Sequence, residues 1–127
     1  MASGDVNQNV RVYTGSSVAA DATTPVVKLG ARRSASLQVV WTTADWVGDI
    51  IVQGSNSPHN VNDATANWET AALNPGISRA VYSVSGASGA FTFTPPHGWN
   101  YNRLRVFFDR GSGTLTTATV DLTSKDN

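Results

Sequence analysis

The chain has no cysteine, and its 127 residues include one Met, a single Glu (Glu69) and two Lys (Lys28 and Lys125). Without thiols there is neither a disulfide framework nor a thiolate metal site. Glu, Lys, Gln and Met, all good helix formers, are scarce. No long window repeats apolar residues at helical spacing either, so helices are not expected. No run approaches the roughly 20 apolar residues of a spanning helix, which argues against a membrane partner. The opening MASGDVNQNV carries neither a basic start nor an apolar stretch, so no signal peptide is expected. Nine basic residues balance nine acidic ones. That balance, and the lack of a basic-aromatic module, argue against nucleic acid even though Arg32 and Arg33 are adjacent.

What remains is a surface made polar by Ser, Thr, Asn and Gly, with only 14% charged residues. Small hydroxyl and amide groups desolvate at lower cost than charges, so such a surface suits burial against a partner. A chain of this length forms one domain and hides roughly two-thirds of its unfolded surface. Short alternating or apolar runs recur between Gly, Pro, Asn and Asp: NVRVYTG, TPVVKLG, SASLQVVWTT, DIIVQGSN, WETAALNPG, RAVYSVSG, GAFTFTPP, NRLRVFFDRGSG and TLTTATVDLT. About eight or nine such strands predict an all-β, antiparallel two-sheet sandwich of jelly-roll type. The expected core is Leu37, Val39, Trp41, Ile50, Val52, Trp68, Phe91, Phe93, Leu104, Val106, Phe108 and Leu115. Residues 1–33 read as an extended arm with short edge strands, and residues 34–127 as the body. Arg110 to Gly113 reads as a hairpin loop joining the last two strands.

Chemistry is harder to find. His59 and His97 lie in turn contexts with no nucleophile or acid at a motif spacing. There is no G-x-S-x-G elbow, and no pair of carboxylates is singled out. The stretch 55–68 is rich in Asn and Ser oxygens but lacks calcium-loop spacing. It reads as a turn that bonds its own backbone. No catalytic residue, metal or cofactor is therefore expected. Trp46 and Trp99, both in loops, are the candidates for stacking on a glycan, in the manner of carbohydrate-binding β-modules. In NYNRLRVFFDR, alternation sends Leu104, Val106 and Phe108 inward. It sends Tyr101, Arg103, Arg105 and Phe107 to the outer face. Arg beside aromatics is the mixture enriched at protein contacts. With Arg11 and Tyr13 of the arm and with Arg32 and Arg33, these residues form the expected interface.

The segments LQVVWTTADWVGDIIVQGSN, NWET and YNRLRVFFDRGSGTL together resemble small β-sandwich proteins encoded in the structural gene clusters of tailed bacteriophages. The likeness covers roughly residues 36–122 and rests on core and turn positions. It implies a non-enzymatic virion protein, made in the host cytoplasm. Such a subunit would decorate or cement the capsid, or belong to the tail and its fibres. The implied partners are the major capsid protein or other virion proteins, and further copies of the chain, with a trimer favoured. In that reading the arm pairs with a neighbour, and the face bearing Arg103 and Arg105 meets acidic or amide groups. A glycan-binding tail module is the alternative.

Overall fold

A computed structural model describes residues 7–29, 34–58, 60–74, 78–95 and 101–125. Among them there is no helix. The strands are β1 (Asn7–Val18), β2 (Ala22–Thr23), β3 (Val27–Lys28), β4 (Ser34–Thr43), β5 (Val47–Ser55), β6 (Glu69–Thr70), β7 (Ala72–Asn74), β8 (Ser78–Arg79), β9 (Val81–Ser85), β10 (Gly89–Phe93), β11 (Arg103–Ser112) and β12 (Leu115–Lys125).

They build two antiparallel sheets. One has four strands in the order β1, β12, β4, β10. The other has six. Its path runs β2, β11, β5, β6, with β3 also on β11 and β9 also on β5. A short ribbon of β7 and β8 lies beside them. The alternation seen in the sequence is what fills the space between the sheets. Leu37, Val39 and Trp41 from β4 meet Ile50 and Val52 from β5 and Leu104, Val106 and Phe108 from β11, all at most 2% exposed. Each such side chain contributes roughly 1.5–3 kcal/mol relative to an exposed one. Phe93 and Leu115 are buried with them, and Phe91 is partly buried at the margin.

Four readings of the sequence need correction. First, over its described residues 7–29 the expected arm is part of both sheets. β1 pairs with β12 along almost its whole length, and β2 and β3 pair with β11. Thr24 bridges the gap between β2 and β3. Its Oγ1 accepts from Val106 N at 2.9 Å while its own N–H reaches the Val106 carbonyl, and Pro25 sits harmlessly at the sheet edge. Second, β11 and β12 are no hairpin, because they lie in opposite sheets. The chain crosses between layers at Gly113, whose φ of 83° and close approach to the Asp45 carbonyl exclude a side chain. Third, Trp46 is fully buried rather than exposed, its ring against Gly48 at one end of the sandwich. Fourth, Trp68 is only half-buried and lies outside the core cluster, on the outer side of the six-stranded sheet.

Candidate functional site

The outer face of the six-stranded sheet carries the two arginines that the sequence singles out, and treats them differently. Arg103 lies opposite Ser55, Arg105 opposite Gln53 and Phe107 opposite Ile51, so the three point to the same side. The chain from 56 to 68 then returns across that side and covers Arg103, which is 1% exposed. This corrects the expectation of a solvent-facing guanidinium. Its Nη1 donates to Asp63 Oδ1 at 2.7 Å, and its Nη2 donates to the Pro58 and Val61 carbonyls at 2.7 and 2.8 Å. Lys28 Nζ, from β3, reaches the same Asp63 oxygen at 2.9 Å. Turn bonds from Val61 N to Pro58 O and from Thr65 N to Asn62 O complete the loop, as its Asn-rich sequence predicts. Asp63, the only carboxylate between 56 and 68, is committed to two cations.

Arg105 stays half-buried at the loop's margin. Its Nε donates to Gln53 Oε1 at 2.7 Å, and its guanidinium carbon lies 4.0 Å from the Trp68 ring centroid. Trp68 in turn donates its indole N–H to the Asp63 carbonyl at 3.0 Å. Burial pulls the Arg105 pKa below its ordinary value, with the Asp63 charge opposing. Beyond Arg105 the face is open. Ile51 lies between Val81 and Phe107 in one row, and Asp49 lies between Ser83 and Asp109 in the next.

The other expected interface residues scatter. Tyr101 does not share the arginines' face. It precedes β11 and packs on the core side, its ring filling the space above Gly54. Tyr13 also turns inward and meets the Phe108 ring at 5.8 Å. A bulge at Val12 shifts the register between Arg11 and Tyr13, so two residues that simple alternation puts on one face end on opposite ones. Arg11 remains exposed and is paired with Asp121 through Nε at 2.7 Å. Arg32, Arg33, Trp99 and both histidines lie outside the described residues. With Trp46 at 0% exposure, the glycan-stacking reading loses the one of its two rings that is described.

Two further surfaces escaped the sequence reading. The outer face of the four-stranded sheet is a field of small polar groups. Thr117 of β12 lies beside Thr42 of β4, Thr119 beside Val40, Asp121 beside Gln38 and Thr123 beside Ser36, with β1 and β10 on either flank. Its only charged groups among the described side chains are Arg11 and Asp121, bonded to each other. At the edge of that sheet opposite β1 lies β10, whose predecessor β9 belongs to the other sheet. Tyr82, 44% exposed, stacks on Phe91 at 5.3 Å beside a half-open apolar cavity of about 180 Å³.

The described residues form an all-β scaffold of two antiparallel sheets. Among the described residues no three His, Cys, Asp or Glu side chains are grouped to hold a metal ion. No family model matches the chain, and no curated protein matches it.

Proposed function

We propose that the chain is a non-enzymatic structural subunit of a tailed-bacteriophage virion, a decoration or cement protein of jelly-roll type that docks on the major capsid protein or another shell component. The observation that carries this reading is the outer face of the four-stranded sheet. It is rich in hydroxyls around Val40 and Ala90, and its one ion pair among the described residues is internally neutralised. Such a face loses little when water is removed from it. It is bordered by β1, a 12-residue strand at the sheet's edge among the described residues, with neither Lys nor Pro and with one bulge, at Val12. Away from the bulge such an edge offers backbone groups to another chain. The strand order supports the jelly-roll assignment, since the chain passes to the other sheet from β1 to β2, β3 to β4, β4 to β5, β9 to β10, β10 to β11 and β11 to β12.

In this reading the docking element is the edge of β1 and the face beside it, not a detached arm. Many copies in a symmetric array gain avidity from individually weak contacts. Binding the assembled shell better than loose subunits is enough to stabilise it. The test is co-sedimentation with expanded heads of the phage whose gene cluster encodes the chain. Wild type should bind saturably. Thr119→Lys, which sets a charge between Thr14 and Val40 on that face, should weaken binding by roughly tenfold or more while leaving the circular dichroism spectrum unchanged. Wild type that ignores heads and is missing from purified virions overturns the proposal. Deleting residues 2–20 is not a clean test, because it removes a whole strand from the sheet.

A further inference from the structure

The open part of the six-stranded face carries charged groups that the described residues pair only in part. Its centre is apolar: Val81, 44% exposed, then Ile51 and Phe107 in one row across three strands. On one side of this row stands Arg105, whose only hydrogen bond among the described residues is the one from Nε, so both terminal nitrogens keep spare donors. On the other side Asp49 and Asp109 face each other directly across β5 and β11. Like charges at opposed positions destabilise a sheet. Asp49 takes a hydrogen bond from Ser83 at 2.8 Å, whereas Asp109 takes none from the described residues. The face is therefore bipolar, positive at one end, negative at the other and apolar between.

We propose that this face is the contact between two copies of the chain, packed sheet against sheet about a two-fold axis that runs across the strands, along the Val81, Ile51, Phe107 row. Charge selects the operator. Rotation about that axis keeps β11 over β11 but reverses its direction. Each Arg105 then comes to face Asp109 of the second copy, and each Phe107 meets its counterpart. A two-fold along the strands instead sets Arg105 on Arg105 and the carboxylates on carboxylates. The isologous contact thus relieves the Asp49 and Asp109 repulsion twice and covers the exposed Val81. The open face spans only three or four strands and about five residues along each. That is below the roughly 800 Å² per partner of a standard stable interface, so the dimer is weak and concentration-dependent.

The inference does not rest on the virion reading, and its test uses the purified full chain alone. Sedimentation equilibrium from about 10 μM to about 1 mM should show wild type moving from monomer to dimer. Asp109→Arg and Arg105→Asp should each weaken self-association by roughly tenfold or more, since each places like charges in register twice. Mixed in equal amounts, the two variants should recover a heterodimer, because every Arg then faces an Asp. Phe107→Ser, which leaves the charges alone, should also abolish association. Circular dichroism of each variant separates lost association from lost folding. A wild type that stays monomeric throughout, variants that associate as tightly as wild type, or folded single variants that do not recover on mixing overturn the proposal.

Discussion

The two sheets turn unlike faces to solvent, although the same rule of alternation builds both. On the four-stranded sheet the outward residues are mainly hydroxyls and amides, and the one ion pair, Arg11 with Asp121, lies in the open. On the six-stranded sheet an outward arginine becomes one of the most buried side chains in the molecule. Arg103 and Arg11 differ neither in residue type nor in the outward direction of the side chain. They differ in whether a loop comes back over them. Covered, a guanidinium with three acceptors acts as an internal scaffold for irregular backbone. Uncovered, it keeps a sheet face soluble.

The strongest way to break this comparison is to remove each arginine in turn. Arg103→Met leaves the Val61 carbonyl without its donor, takes one of two donors from the Pro58 carbonyl and removes one of the two cations holding Asp63. Stability in urea should fall by roughly 3 kcal/mol, and the 56–68 segment should become the first site of proteolysis. Arg11→Met should change stability by no more than the scatter of the measurement, because exposed pairs contribute little. Equal losses from the two substitutions would mean that burial by the loop is not what distinguishes the faces.

The contrast also marks how far the sequence could be read. Alternation placed Leu37, Val39, Trp41, Leu104, Val106 and Phe108 in the core because period two is a local property of extended chain. It gave the face of Arg103 correctly and its environment wrongly, since a strand's own pattern carries no information about a loop returning across it. The available signal was a turn-dense segment with one carboxylate and a terminal Trp, a combination that needs an anchor. Tyr13 was misplaced by a single bulged residue, Val12, which leaves no mark in the pattern. Trp46 looked exposed because it follows a turn. Its burial depends on the space that Gly48 leaves vacant. The row of Val81, Ile51 and Phe107 joins residues far apart in the chain, and register alone brings them together.

A smaller effect sharpens the border between the covered and open parts of the six-stranded face. Arg105 stands at that border, stacked on Trp68 and bonded to Gln53. Arg105→Ala should cost about 1 kcal/mol and shift Trp68 fluorescence to longer wavelength as the ring is wetted. Arg105→Lys keeps the charge but loses the planar stack, and should recover only part of both changes. Full recovery would show that charge alone, and not stacking, holds the loop's end.

The smallest effect is one of acid. Both paired carboxyl groups titrate below the ordinary carboxylate range. For Asp63 the hydrogen bond from Lys28 is the main cause, burial opposes it, and the charges of Lys28 and Arg103 add to it. For Asp121 the hydrogen bond from Arg11 dominates. A carboxyl whose folded pKa lies below its unfolded one contributes fully above the unfolded value, near 4, and loses that contribution as pH falls through the folded value. Hydrogen exchange should therefore show amides of 56–68 losing protection as the solution is acidified below about pH 4. Asp63→Asn should show the same reduced protection already at neutral pH, and the two proteins should converge in acid. Asp121→Asn should leave exchange on β1 and β12 nearly unchanged at every pH, because that ladder is held by its backbone bonds. If the two carboxylates fade alike in their local protection, the six-stranded face has no covered site that an ion pair sustains, and the difference between the two faces reduces to composition.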